Sequence, residues 1–397
     1  MIINRHINIF QWLLCSIVIV LLSACSSSDA EEGAMEASHK QPMMAIYVYA
    51  PEQAATAQKS AEQTRADEGE VDPITNEGTI KSLQIWVYES DESTNPGNFV
   101  GYFSTEDVTA LNEGQGSTYQ IPVSDDFASR KPDVNVYAMA NVKAENCGVG
   151  TLNKETTRDA LLEGAIIVKN LTKDYFGLGN LQTSVPDDGL PFAGHLTAES
   201  VVGDSPALRI GTASSASTVQ LTRAVSKLRF VFAKTTGQPK VSINSIKMNA
   251  GMIPEVEYLF DKTQSLTYNE YEAELFSFID DIAETTDPTD YIYFNQDAQE
   301  YENLINEAAS KETPEVTVRG PIYLRESDKQ LTGTITYTID GGEEKIANFA
   351  MQQAGDFSRN HTWIVYAYYA GTGSLQVQSL YVKDWSTKEM NYEYFNW

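Results

Sequence analysis

A chain of 397 residues, 42% hydrophobic and 10% aromatic, is long enough to bury more than one core. Its formal net charge of −27 excludes attraction to nucleic acid or to an anionic membrane surface. Of three cysteines, Cys15 lies in the N-terminal apolar stretch and Cys25 directly behind it. Cys147 is then alone, so neither an intramolecular disulfide nor a cysteine-based metal site is expected. Stability must come from core burial, and 21 Tyr, 15 Phe and 5 Trp supply bulk for it.

Residues 1–24 read as a bacterial secretion signal. Arg5 gives the positive end, and an apolar run from near Ile9 carries Trp12, Leu13, Leu14 and Ile17 to Leu22. That run is short of the roughly 20 residues a bilayer-spanning helix needs. Leu22-Ser23-Ala24-Cys25 resembles the lipobox of bacterial lipoproteins. The resemblance implies that the leader is removed and the Cys25 thiol acylated, with more than one acyl chain giving stable anchoring. Residues 25–42 then form a polar, acidic tether without periodicity.

A strand is predicted over 43–51, with Met44, Ile46 and Val48 alternating against Ala45, Tyr47 and Tyr49. Residues 52–78 are poor in hydrophobics and read as an exposed loop. Strands follow at 80–88, at 99–103 behind the turn residues Asn95-Pro96-Gly97-Asn98, and at 134–139. The spacing of Leu161, Leu162, Ala165 and Ile166 predicts a helix over 157–171. The Ser/Ala/Thr stretch 212–218 leads to a boundary, giving domains of 43–218 and 219–397.

In the second domain, Leu228, Phe230 and Phe232 share one strand face and 241–248 is a further strand. Residues 267–313 are acidic and Tyr-rich and read as an insertion, helical from Gln299 to Ser310. Strands at 332–339 and 346–351 meet across Asp340-Gly341-Gly342, a strong hairpin turn. Strands at 363–369, 375–382 and 392–397 complete the set. Many short strands with frequent turns predict an all-β protein with minor helices, built as two tandem antiparallel β-sandwiches.

No signature of an enzyme is present: no H-E-x-x-H, no G-x-S-x-G, no P-loop and no EF-hand spacing. No cofactor and no metal is expected. His195 and His361 sit beside strand-like sequence and read as structural. Asp287, Asp290, Asp297, Glu300 and Glu302 could offer oxygen ligands to Ca²⁺, but without loop spacing they read as a solvated surface.

Several segments in order resemble the fimbrillins, the lipoprotein-derived type V pilus subunits of Bacteroidales. They are the lipobox, strand 43–51, Asn76-Glu77-Gly78-Thr79-Ile80 running into Leu83-Gln84-Ile85-Trp86-Val87-Tyr88, and Val134 to Asn141. Leu221 to Leu228, Asp356 to Val365 and Val382-Lys383-Asp384-Trp385 continue the series. The 267–313 insertion departs from it. The resemblance implies two transthyretin-like β-sandwich domains, export to the outer membrane as a lipidated precursor, and cutting by an arginine-specific protease in the loop after the first strand. Arg65, followed by Ala66, is the only Arg between strands 43–51 and 80–88, and Arg130 is a weaker candidate.

Cleavage there would let the first strand depart, leaving its sandwich short of an edge strand and open to a donor strand from another subunit. The candidate donor lies within 375–397, where Tyr392 and Tyr394 alternate with Glu393, Phe395 and Trp397. One groove and one donor per subunit build an open head-to-tail filament of one or several kinds of subunit. The expected role is a structural subunit of a cell-surface fimbria acting in adhesion. The other readings are a tip or anchor subunit that stays uncleaved, and a surface glycan-binding lipoprotein with exposed Trp and Tyr.

Overall fold

The computed structural model describes residues 40–50, 77–90, 97–106, 111, 116–144, 147–164, 166–167, 185–254, 256–260, 267–268, 270–276, 278–292, 298–351 and 358–382. The strands are, in order, β1 Met43–Tyr49, β2 Leu83–Glu89, β3 Phe99–Thr105, β4 Gly116–Pro122, β5 Val134–Ala140, β6 Ile166–Ile167 and β7 Phe192–Glu199. Then come β8 Val201–Asp204, β9 Ala207–Ile210, β10 Thr218–Gln220, β11 Thr222–Arg223, β12 Ser226–Thr235, β13 Val241–Met248 and β14 Glu257–Tyr258. The last are β15 Ala273–Phe276, β16 Glu284–Thr285, β17 Thr317–Leu324, β18 Thr332–Ile339, β19 Lys345–Ala350, β20 Thr362–Tyr369 and β21 Gln376–Val382. The helices are α1 Asp125–Arg130, α2 Arg158–Gly164 and α3 Ala298–Ala309.

These strands form the expected all-β fold. In the first half, one sheet runs β10-β1-β9-β8 with β4 also on β1, and the other runs β11-β7-β5-β2-β3. In the second half, one sheet runs β16-β12-β20-β21 with β17 also on β12, and the other runs β15-β13-β18-β19. The hydrophobic cores divide at the same place in the chain. One gathers residues 44–225 together with Leu259, Phe260 and Tyr323, and a second begins at Leu228.

Alternation explains the sheets. Leu228, Phe230 and Phe232 of β12 enter the second core, while Val231 and Ala233 on its opposite face enter a third with Tyr291, Tyr301, Ile305 and Ala308. Helix α3 and the turn at 288–291 thus cover the outer face of β12 and β20, which is why β12 is buried on both sides. Within 267–313, β15 also pairs with β13 and β16 with β12, so this stretch supplies strands as well as a helix.

Three expectations change. The helix predicted over 157–171 stops at Gly164, because Ile166 and Ile167 pair with Tyr258 and Glu257 instead, as β-branched residues favour. A short helix, α1, forms where none was expected. Its Ser124 cap accepts a hydrogen bond from the Phe127 amide at 3.1 Å. Finally, β1 is not an edge strand. It pairs antiparallel with β4 on one side and parallel with both β9 and β10 on the other.

Candidate functional site: the β1 ladder and the Glu77 anchor

β1 alternates strictly. Met44, Ile46 and Val48 are 0% exposed, while Ala45, Tyr47 and Tyr49 are half-buried on the opposite face. Inward, Met44 faces Ile121 and Leu208, Ile46 faces Tyr119, and Val48 faces Ser117 and Val219. On the β4 side the pairing is unbroken from Met43↔Pro122 to Tyr49↔Gly116. On the other side, 43–45 lie along 207–209 and 47–49 along 218–220. The ends are sealed by Met43 N–H to the Pro206 carbonyl at 2.8 Å and Leu221 N–H to the Tyr49 carbonyl at 2.9 Å.

None of residues 43–50 carries a charge. The strand is held by backbone hydrogen bonds and by apolar burial, each large side chain contributing roughly 1.5–3 kcal/mol. A chain of matching shape can replicate both. An empty β1 position would expose two rows of backbone donors and acceptors over an apolar floor, a stronger template for pairing than one open edge.

The described chain resumes at Glu77, and its anchoring is of another kind. Glu77 is fully buried. One carboxylate oxygen accepts the Tyr323 hydroxyl at 2.5 Å, and the other lies 3.2 Å from the Lys227 ammonium. Arg223 donates to the Glu77 carbonyl at 3.3 Å and to Asn360 at 3.2 Å. Lys227 also approaches Glu302 at 3.5 Å. Arg229 reaches the same Glu302 oxygen at 3.4 Å and Asn306 at 2.8 Å.

Lys227, Arg223 and Arg229 are all nearly inaccessible. Such a network is tolerated because its charges compensate one another, and removing one member strands the rest. Burial pushes the Glu302 carboxyl up, but Lys227 and Arg229 together outweigh burial and hold it below its ordinary value. Burial, with Glu77 beside it, pushes the Tyr323 hydroxyl up, so it stays neutral and donates. The network joins residue 77, strands β11, β12 and β17, and helix α3. Chain lost before Glu77 would not release it.

Glu302 thus corrects the reading of the acidic cluster as a solvated surface. It faces the buried cations. Asp287 instead caps the turn at 288–291 by accepting from Thr289, and Asp297 lies outside the described residues. Among the described residues no group of acidic, His or Cys side chains is placed to hold a metal ion. His195 stacks on Tyr137 with ring centroids 6.1 Å apart, and His361 shares a hydrogen bond with the Arg359 carbonyl at 2.7 Å. Trp86 and Trp363 are buried, so neither offers a sugar ring a face.

Cys25, Arg65, Ala66, Tyr392, Tyr394, Phe395 and Trp397 lie outside the described residues. Arg130, the weaker cleavage candidate, lies at the end of α1. It pairs there with Glu89 and with Asp126 at 2.8 Å. A helical residue engaged on two sides is poorly shaped for a protease cleft, which takes extended chain. Arg130→Ala is expected to leave any proteolytic processing intact and to change stability little, since the arginine is half exposed and its ion pairs are screened by solvent. Immunoblotting and urea unfolding check the two parts.

Sequence reasoning missed the Glu77 network, although a signal was present. Arg223, Lys227 and Arg229 fall on one parity of an apolar strand run, opposite Leu228, Phe230 and Phe232, and charges in such a run need buried partners.

No family profile matches the chain, and no curated protein matches it. Among solved structures it is similar to a candidate cell adhesion protein from Parabacteroides distasonis, with a TM-score of 0.46 and 12% identity, over 87% of this chain and 98% of that one. It is also similar to the C-terminally truncated tip fimbrial protein Mfa3 from Porphyromonas gingivalis, with a TM-score of 0.44 and 11% identity, over 87% and 100%. A third is a fimbrial assembly protein from Parabacteroides distasonis, with a TM-score of 0.40 and 13% identity, over 85% and 99%. Likenesses of this degree leave the function to be argued from the chain itself.

Proposed function

We propose that this chain is a non-enzymatic structural subunit of a cell-surface fimbria that serves adhesion and assembles by strand replacement. The precursor is lipidated at Cys25 and held at the outer membrane. An arginine-specific protease cuts between Arg65 and Ala66, β1 departs with the lipidated piece, and a strand from another subunit takes its place. The aromatic C-terminal residues, Tyr392 to Trp397, are its own offering to a neighbour.

The observation that carries this reading is the contrast between β1 and Glu77. β1 is uncharged, the first of the described strands, and bonded through interactions any matching strand can make. Glu77 is pinned by a buried ion pair with Lys227 and a hydrogen bond from Tyr323, both on the far side of a cut at Arg65. This contrast supports a chain that loses one segment and keeps the next.

Cys25→Ser is expected to block lipidation and leave the precursor with its leader uncut, because the acylated thiol directs processing. Metabolic lipid labelling and gel mobility test this, and labelling equal to wild type would remove the lipoprotein assignment. A second reading, a tip or anchor subunit that keeps β1, is favoured by the pairing of β1 on both sides, which makes its loss slower than that of an edge strand.

A further inference from the structure

We infer that the β1 position is shaped to accept a strand from a different protein and to refuse the C-terminal segment of a second copy of this chain. The inference rests on the strand-replacement reading and adds to it the identity of the partner.

β1 is a record of what the position holds. Its inward residues end smaller than they begin: Met44 and Ile46, of about equal bulk, then Val48 and Ala50, at 0%, 0%, 0% and 1% exposure. Solvent reaches essentially none of them, and overfilling a packed interior forces strain. The position therefore tapers from its Met44 end to its Ala50 end. Direction is fixed as well, since the occupant must run antiparallel to β4 and parallel to β9 and β10.

The outer face adds a second requirement. Tyr47 crosses diagonally onto the neighbouring strand and covers Gly116. A Cβ at Gly116 would overlap the Tyr47 ring and hydroxyl. Gly116 is thus a seat for an aromatic side chain, the pairing of a large ring with a strand glycine.

The C-terminal residues meet neither requirement. In one phase the inward set is Met390, Tyr392, Tyr394 and Asn396, which places tyrosines where the position holds Ile and Val, and Glu393 where it holds Tyr47. In the other phase the inward set is Asn391, Glu393, Phe395 and Trp397, which buries a carboxylate and ends with the largest side chain at the narrow end. The fitting partner is a strand with large, branched, branched and small aliphatic residues inward and an aromatic over Gly116. It comes from another subunit, so assembly is heterologous at this end.

The test uses full-length protein cut by an arginine-specific protease and two fluorescent peptides, residues 43–50 and residues 390–397. The 43–50 peptide is expected to be taken up with a slow off-rate, and the 390–397 peptide to bind at least about tenfold more weakly. Uptake of 43–50 with equal uptake of 390–397 overturns this inference alone. Failure of 43–50 to exchange overturns the strand-replacement reading, and this inference with it. In Gly116→Ala protein the 43–50 peptide is expected to weaken, and the same peptide carrying Tyr47→Ala to recover. Equal weakening of both overturns the aromatic seat.

Discussion

Glu77→Ala is expected to lower the free energy of unfolding by about 3–5 kcal/mol, the cost of breaking a buried ion pair by removing one partner. Lys227 would lose its 3.2 Å contact with Glu77 and keep the 3.5 Å approach of Glu302, and the Tyr323 hydroxyl would lose the Glu77 acceptor. Glu77→Gln keeps shape and hydrogen bonding and should lose clearly less. Urea unfolding followed by intrinsic fluorescence measures both, with the slope checked for a two-state transition. A loss below about 1 kcal/mol for the alanine variant would mean that the ammonium finds water or another partner.

The same network carries a pH signature. The folded pKa of Glu302 lies below its unfolded value. Its contribution is therefore complete above the ordinary Glu range, roughly pH 4–5, and is lost as pH falls through the lower folded value. Acid should weaken wild type progressively below about pH 4, and Glu302→Gln should flatten that limb.

Arg65→Ala is expected to abolish fibres while leaving a folded, monomeric, lipidated precursor. Uncut, β1 stays in its own ladder, and no open position exists for a neighbour's strand. Electron microscopy of cells carrying the variant reads the outcome directly. Normal fibres would sink the Arg65 assignment. Arg130 would then be a poor substitute, since it is helical and engaged by Glu89 and Asp126.

Most of the sheet structure was legible because it follows side-chain alternation. Val241–Met248 and Thr332–Ile339 stand where the period of two puts them. Helix α3 was legible as well, at Ala298–Ala309. Pairing partners were not legible, because alternation says which face is buried and nothing about which strand lies alongside. Hence β1 read as an edge strand although β4, β9 and β10 enclose it. The helix expected over 157–171 failed for a related reason. Ile166 and Ile167 suit an apolar helix face and a strand alike, and tertiary pairing with β14 decided between them.

The candidate site divides the same way. The apolar character of β1 was readable residue by residue. Of the Glu77 anchor only the cations of the β12 run gave a signal; its partners were not readable, because residues 77, 227, 302 and 323 are far apart in the sequence and are joined by tertiary contacts alone.

The central claim is that the chain loses everything up to Arg65 and keeps everything from Ala66 onward. N-terminal sequencing of the protein purified from the cell surface tests it most directly. The account predicts a chain beginning at Ala66. A blocked N-terminus at a lipidated Cys25, on protein recovered from assembled fibres, would contradict it.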